Sequence, residues 1–462
     1  MLFDLKAENT VTAIEGPLLF LRRNVNVGLN ESVAVSLDDG PERLGRIVAL
    51  EDERIVVELL EDTTGLGIEG VSVRFDGEPM MMPLGPGLLG RVFDGMGRPR
   101  DGGAPIAAQV TRRIDMAVIN PAERGLPQDF IQTGVSSIDI LNSLVRGQKL
   151  PVFSAGGLPH DRLAASIAQS AKLLKGDSDG FAVVFCGIGV SHDSAENFRL
   201  AMEESGALEH TAMFLNLASE PTAQRLLTPR FALTAAEYLA FDEGRQVLVI
   251  LTDMTNYCEA LREVSASHGE IPSRKGYPGY MYSDLATIFE RAGWIMGKPG
   301  TVTQLPILTM PADDISHPIP DITGYITEGQ IVLDRELDHK GIYPPVNVLA
   351  SLSRLMDQGI GKGFTHPDHP ALAQQLFASY ARAARVRILS SVVGRDGLSA
   401  TDQTYLDFGD RFEADFVNQD KMRRFEESFQ IGWQMLRLLP DSELTRLSDA
   451  QLQAHIKVPT DG

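Results

Sequence analysis

Cysteine and tryptophan are scarce in this chain of 462 residues, which contains two of each. Cys186 and Cys258 lie far apart in apolar surroundings, so we expect two buried thiols rather than a disulfide framework. Because the sequence does not begin with a signal-like segment either, we expect a reducing compartment. Runs of about 18 apolar residues are also missing, and we therefore expect no part of the chain to span a membrane.

Positive charge is deficient as well. Lys and Arg number 42 against 62 Asp and Glu, which gives a formal net charge of −20 at pH 7. A sequence-independent nucleic-acid binder needs a basic footprint, so this charge argues against nucleic acid as a partner. A protein partner with a basic face stays compatible with it. The nine histidines never occur at metal-ligand spacing, and we assign no metal site.

The overall composition is typical of a globular protein, and the length predicts about three domains. Residues 1–75 alternate in short β-like runs, which favours a small barrel or sandwich, and we expect an N-terminal β-barrel. Residues 76–350 open with a Gly- and Pro-rich linker or turn-rich entry and continue as strands alternating with helices. That alternation predicts a central α/β domain with a parallel sheet. With the loop layout described below, we expect this domain to be of the RecA-like, P-loop NTPase type. Residues 351–462 follow helical spacing and predict a helical C-terminal domain.

Within the central domain, two apolar runs predict buried strands, Phe181–Cys186 and Val247–Asp253. A helix is predicted from Thr228 to Phe241, because Pro229 would then occupy a favourable first-turn position. The segment from Phe130 to Asp139 leads into a further strand that begins near Leu150 and ends in a glycine-bearing turn.

That turn has the layout of a phosphate-binding loop, in which backbone N–H groups and a helix N-terminus hold an anion. A working loop reads Gly-x-x-x-x-Gly-Lys-Ser/Thr. In register, this chain reads Ser154-Ala-Gly-Gly-Leu-Pro-His-Asp161. His160 replaces the Lys that reaches the phosphates, and Asp161 replaces the hydroxyl that holds Mg²⁺. The loop is therefore degenerate, and hydrolysis at it is disfavoured.

Weak nucleotide binding at the loop stays open. Its candidate residues are the loop positions Ser154, Gly156, Gly157 and His160, together with Asp253. Asp253 closes the second buried strand, where an NTPase places a carboxylate near Mg²⁺. His160 could contact a phosphate or cover an unoccupied turn, and Asp161 would repel a phosphate. The residue best placed to orient an attacking water is Val190, which cannot polarise one.

Arg354 lies in a Ser-Leu-Ser-Arg-Leu-Met run that begins at Ser351. The sequence leaves two roles open for it, a surface salt-bridge partner and an arginine finger. A finger would stabilise the charge on a transferring phosphoryl group in a neighbouring subunit.

Five ordered segments together resemble the B subunits of the V-type and A-type rotary ATPases. They are Phe130–Asp139, Thr252–Arg262, Gly276–Ala292, His317–Gln330 and Ser351–Met356. The resemblance covers essentially the whole chain. One departure is Ala350, where the family often has Pro before Ser-Leu-Ser-Arg; it leaves the Arg unchanged.

The resemblance implies a non-catalytic, regulatory subunit in a peripheral ring of three A and three B subunits. Arg354 would act in trans as the finger of the neighbouring catalytic A subunit. ATP or ADP with Mg²⁺ would lie at the A/B interface and be bound mainly by A, with no cofactor certain on this chain alone. Further implied interface residues are Tyr277, Tyr280, Tyr282 and Ser353.

The same resemblance implies central stalk rotor subunits and peripheral stalk subunits as partners. It places the complex on the cytoplasmic face of a membrane, with only indirect membrane contact, and couples ATP synthesis or hydrolysis to H⁺ or Na⁺ transport. The length and the lack of eukaryote-like terminal extensions indicate a bacterial or archaeal source. The alternatives are a self-sufficient hexameric ATPase and a purely structural ring subunit without a finger.

Overall fold

The computed structural model describes residues 5–8, 11–37, 40–116, 118–174 and 180–457. The chain forms two compact units, each assembled from three stretches. The first unit contains Met1–Val118, Val184–Tyr238 and Leu251–Arg291. The second contains Ile119–Val183, Leu239–Ile250 and Ala292–Gly462.

An antiparallel sheet opens the first unit. Its strands are β1 (Leu5–Glu8), β2 (Val11–Glu15), β3 (Leu18–Arg22), β4 (Glu31–Leu37), β5 (Arg43–Leu50), β6 (Arg54–Leu59) and β7 (Val71–Pro79). They pair in the order β1-β7-β4-β5-β6-β3-β2. Burial alternates along β7, so that Val71, Val73 and Phe75 enter the core, as expected of a strand with one buried face. The short strands predicted in this part of the chain are confirmed.

Shorter elements follow along the chain. They are β8 (Met81–Leu84), β9 (Val92–Asp94), β10 (Val110–Arg113), β11 (Arg124–Gly125), β12 (Phe130–Gln132), α1 (Ser136–Leu141), β13 (Leu144–Val145), β14 (Val152–Ala155), α2 (His160–Ser170) and β15 (Lys172–Leu173). The strand, turn and helix predicted around the degenerate loop are therefore β14, the residues after it and α2.

Longer strands and helices alternate in the next part. They are β16 (Phe181–Val190), α3 (His192–Glu204), β17 (Thr211–Leu217), α4 (Thr222–Phe241), β18 (Gln246–Thr252), α5 (Met254–Ser267), α6 (Met281–Phe289), β19 (Gly293–Ile295), β20 (Thr301–Met310), α7 (Pro318–Ile326), β21 (Gly329–Val332), α8 (Arg335–His339) and β22 (Leu352–Ser353).

Most of these strands form a sheet with many parallel pairs. In the second unit the strand order is β22-β21-β14-β20-β18-β16. In the first unit it is β16-β17-β9. Strands β16 and β18 contribute residues to both units. Val152 of β14 lies opposite Ile307 of β20 and Ile331 of β21, both in parallel register. Strand β9 pairs in parallel with β17, so the Gly- and Pro-rich entry also supplies an edge strand.

The second unit ends in helices α9 (His369–Val393), α10 (Ala400–Arg411), α11 (Phe425–Leu436) and α12 (Asp449–Gln451). Leu372 and Leu376 of α9 and Phe429 and Trp433 of α11 share one apolar core, which confirms the predicted helical spacing. In the part of the chain that the structure describes, every helix is too short or too polar to cross a bilayer.

Two predicted boundaries were wrong. Helix α4 begins at Thr222 rather than Thr228, and Pro229 lies inside it, because the preceding residues Ala223 to Leu227 favour a helix enough to tolerate an interior proline. Strand β16 continues beyond Cys186 to Val190, since the residues added are also apolar or glycine. Val190 is therefore a buried strand residue.

Candidate functional site

The degenerate loop joins β14 to α2 and bonds to itself. The Leu158 amide donates to the Ala155 carbonyl oxygen at 3.1 Å, and the His160 amide donates to the Leu158 carbonyl oxygen at 2.8 Å. Gly157 has a φ of +84°, a left-handed conformation that glycine adopts without a steric penalty. Two of the amides that a phosphate-binding loop would offer to an anion are thus already used.

The His160 ring turns back over the same loop. Its Nδ1 lies 3.0 Å from the Leu158 carbonyl oxygen and 3.1 Å from Ser154 Oγ. Because a carbonyl can only accept, this geometry fits a proton on Nδ1. The other ring nitrogen, Nε2, lies 3.6 Å from a carboxylate oxygen of Asp161. At the position of the usual Lys, the chain therefore has a ring held by its own loop and next to a carboxylate.

Arg335 holds the loop from outside. Arg335 of α8 donates from Nη2 to the Gly156 carbonyl oxygen at 2.9 Å, and it bonds both carboxylate oxygens of Asp313 at 2.9 and 3.1 Å. The guanidinium hydrogen bonds lower the pKa of the Asp313 carboxyl. Sequence reasoning missed this pair, because neither residue belongs to a motif and α8 is far from the loop in sequence.

Asp253, in the first unit, has a structural role. It is the N-cap of α5, and its Oδ1 accepts from the Thr255 amide at 2.7 Å. Among the residues that the structure describes, no group of three or more His, Cys, Asp and Glu side chains could hold a metal ion. The loop residues, with their self-bonded amides and Asp161 in place of a hydroxyl, do not fit a hydrolysable Mg²⁺-nucleotide.

Arg354 has a different environment. It follows β22 directly and is exposed. Its amide donates to the Glu328 carbonyl oxygen at 3.0 Å, and its Nη1 donates to the Thr327 carbonyl oxygen at 3.2 Å. It borders a surface cavity of about 240 Å³ with Asp321 and Tyr325 among the other lining residues. An exposed arginine whose backbone amide and guanidinium are both held by carbonyl oxygens suits contact with an anion outside this chain.

Exposed apolar side chains occur near Arg354. Tyr325 is 76% exposed and Ile315 is 47% exposed, and both border the same cavity. Leu352, two residues before Arg354, is 52% exposed. Aromatic and apolar side chains around a central arginine are typical of protein interfaces.

The predicted interface residues divide into exposed and buried ones. Tyr280 and Tyr282 are 41% and 52% exposed. Tyr277 is buried, and its hydroxyl donates to Glu259 at 2.5 Å. Ser353 is also buried, and its Oγ donates to the Ser143 carbonyl oxygen at 2.9 Å. Tyr277 and Ser353 therefore support their segments from within, and the interface role of all four stays a prediction.

Three family models match the chain in order. The beta-barrel domain of the ATP synthase alpha/beta family matches residues 11–77, and the nucleotide-binding domain of that family matches residues 134–353. The C-terminal domain of V and A type ATP synthase matches residues 358–456. These models give a barrel, a nucleotide-binding domain and a C-terminal domain. With the sheet of many parallel pairs and the C-terminal helices of the structure, they confirm the predicted fold class.

Similar proteins are known along nearly the full length. The B subunit of the A-type ATP synthase of Methanothrix thermoacetophila is 53% identical over 446 residues, covering 96% of each chain. An A-type ATP synthase B subunit of Methanospirillum hungatei JF-1 is 51% identical over 453 residues, covering 98% of each. Among solved structures, a unique ATP synthase subunit, NeqB from Nanoarcheaum equitans, matches with a TM-score of 0.72 at 37% identity, covering 88% of this chain and 98% of that one.

Proposed function

Because the chain belongs to the family of B subunits of the A-type ATP synthases, we propose that it is the non-catalytic subunit of a rotary head. Three such chains would alternate with three catalytic A subunits. Each would supply Arg354 to the ATP site of a neighbouring A subunit.

The observation that supports this proposal is that the degenerate loop between β14 and α2 forms hydrogen bonds within itself. Its Leu158 and His160 amides bond within the loop, and His160 stands where a catalytic chain has Lys. A chain that retains a nucleotide-binding fold but lacks these groups is suited to complete the site of another subunit. The exposure of Arg354 supports the same division of tasks, because a guanidinium is always charged and can reach an anion outside the chain.

In this proposal, ATP or ADP with Mg²⁺ is bound mainly by the A subunit. The Arg354 guanidinium stabilises the charge that develops on the phosphoryl group during transfer. The head, joined to central and peripheral stalk subunits, couples ATP synthesis or hydrolysis to H⁺ or Na⁺ movement through a separate membrane sector. The chain would lie at the cytoplasmic face and contact the membrane only through other subunits.

The test is Arg354→Ala in the assembled complex, with Arg354→Lys beside it. We expect normal assembly by native mass spectrometry and a loss of turnover of about 10³- to 10⁵-fold for the Ala variant. Lys would recover only part of it, because an ammonium lacks the planar fork of donors. Near-normal turnover of the Ala complex would favour a purely structural ring subunit. ATP hydrolysis by the purified chain alone would favour a self-sufficient hexameric ATPase.

A further inference from the structure

Lys149 and Glu328 are joined at three points in the second unit. The Glu328 amide donates to the Lys149 carbonyl oxygen at 3.0 Å. In return, the Lys149 amide donates to Glu328 Oε2 at 2.7 Å. The Lys149 Nζ forms an ion pair with Glu328 Oε1 at 2.8 Å. Both carboxylate oxygens of Glu328 are therefore used on a single residue.

The burial of this pair makes it sensitive to the loss of either charge. The Lys149 side chain is 5% exposed and that of Glu328 is 27% exposed. A buried ammonium is strongly destabilised when its carboxylate partner is removed, because its lost hydration is no longer compensated. Lys149 also pairs with Gln304, a residue of β20 in the sheet, so its backbone is fixed. Glu328 is thereby held against a rigid element.

The turn held in this way is the one that contacts Arg354. The Glu328 carbonyl oxygen accepts from the Arg354 amide, and the Thr327 carbonyl oxygen accepts from the Arg354 guanidinium. A displacement of residues 327 and 328 would therefore move both the backbone amide and the guanidinium of Arg354. Within these contacts, the pair reaches the guanidinium through backbone carbonyls and makes no direct bond to it.

The residue before Lys149 supports the other side of the same turn. Gln148 donates from Nε2 to the Glu328 carbonyl oxygen at 3.1 Å and lies 3.0 Å from Ser353 Oγ. Residues 148 and 149 thus contact both Glu328 and the residue that precedes Arg354. Arg354 is therefore flanked by two supported residues, Ser353 before it in sequence and Glu328 at its amide.

We propose that Lys149 and Glu328 are positioning residues for Arg354, and that their ion pair fixes the guanidinium in the orientation needed at the neighbouring subunit. This inference rests on the proposed finger role of Arg354. Positioning of this kind affects a rate strongly, because a misplacement of about 1 Å can cost about 10²-fold. Loss of the pair should therefore lower kcat much more than it changes KM for Mg-ATP.

The test uses the assembled complex with Glu328→Gln, which keeps the shape and removes the charge, and with Lys149→Met as a second variant. We expect each to assemble and to lose about 10- to 100-fold in kcat with KM changed less than about threefold. The matched control is Asp129→Asn, which removes the Arg146–Asp129 surface ion pair of the same unit. Asn suits the positive φ of 74° at this residue, and this variant should keep its kcat.

The decisive measurement is a double-mutant cycle by single-turnover assay. If Glu328 acts through Arg354, Glu328→Gln should cause no further loss in an Arg354→Ala complex. An equal loss in both backgrounds would overturn the positioning role, as would wild-type kcat of both Glu328→Gln and Lys149→Met. In those cases, a low turnover of the Arg354→Ala complex would still support the finger role of Arg354. Near-normal turnover of Arg354→Ala would instead overturn the proposed function and this inference together.

Discussion

The imidazole of His369 donates from Nε2 to the carbonyl oxygen of Ile140 at 2.9 Å and joins helix α9 to helix α1. Its Nδ1 lies 2.9 Å from Thr365 Oγ1, which can donate to it. Both contacts are satisfied by the neutral ring with its proton on Nε2. The ring is fully buried, and desolvation lowers the pKa of His369 from 6.5 to about 4.

This relationship predicts a pH-dependent stability. A group whose pKa is lower in the folded state binds fewer protons there, so its stabilisation is complete above pH 6.5 and is lost as the pH falls toward 4. Between pH 7 and 5, His369 should contribute a decrease of about 2 kcal/mol in the free energy of unfolding. His369→Gln cannot titrate and should show a correspondingly smaller decrease.

The measurement is urea unfolding followed by Trp433 fluorescence in a Trp294→Phe background, since the chain has two tryptophans. Equal decreases with and without His369 would contradict the prediction.

A second prediction concerns the degenerate loop between β14 and α2. The triple change Pro159→Gly, His160→Lys and Asp161→Thr restores the phosphate-loop pattern from residue 159 onward and removes the ring that covers the loop. We expect the isolated variant to bind Mg-ATP in calorimetry and the unchanged chain to give no binding heat at the same concentrations. Hydrolysis should stay absent, because the residue that the sequence predicts at the water-orienting position, Val190, has no polar group with which to polarise a water. Tight binding by the unchanged chain would show that the loop opens readily.

A third prediction concerns the buried ion pair of the first unit. Arg291 bonds Glu237 through two hydrogen bonds of 2.6 and 2.7 Å and is 1% exposed. Glu237→Ala should reduce the free energy of unfolding of this unit by about 3–5 kcal/mol, because it leaves a buried charge unpaired. The control, Glu196→Ala, removes one of the two surface partners of Arg199 and should cost less than about 1 kcal/mol. Chemical unfolding would compare the two, and similar losses would argue against burial as the cause.

A fourth prediction uses the close approach of β21 and β22. Gly329 has a φ of +140°, and a Cβ there would lie 2.1 Å from the Leu352 carbonyl oxygen. Gly329→Ala should therefore displace β22, which leads into Arg354, and should reduce turnover of the complex by at least about tenfold. Gly297→Ala is a matched control, because Gly297 has a φ of +83° and, apart from itself and its two chain neighbours, no described residue has a heavy atom within 4 Å of the position that its Cβ would take. Equal turnover of the two variants would contradict the prediction.

The fold was largely predictable because its signals are local. Short alternating β-like runs in the sequence indicated the strands from β2 to β7, and the helical spacing of apolar residues indicated α9 and α11. The error at Pro229 arose because a local preference for the first turn was outweighed by its helix-forming neighbours. The position of Arg335 and the pairing of Lys149 with Glu328 could not be predicted, because a single sequence does not show which distant residues meet. Arg354 acquired a specific role only through the family resemblance.

The self-bonded loop between β14 and α2 has a consequence for the mechanics of a ring. A phosphate loop that depends on its ligand changes its hydrogen bonding whenever nucleotide arrives or leaves. Here Leu158, His160 and Arg335 already bond the loop from within the chain, so in the proposed head we expect its hydrogen bonding to be the same at any ATP to ADP ratio. In the proposed head, this subunit would keep the same loop conformation, and the nucleotide-dependent conformational changes would occur in the neighbouring subunits.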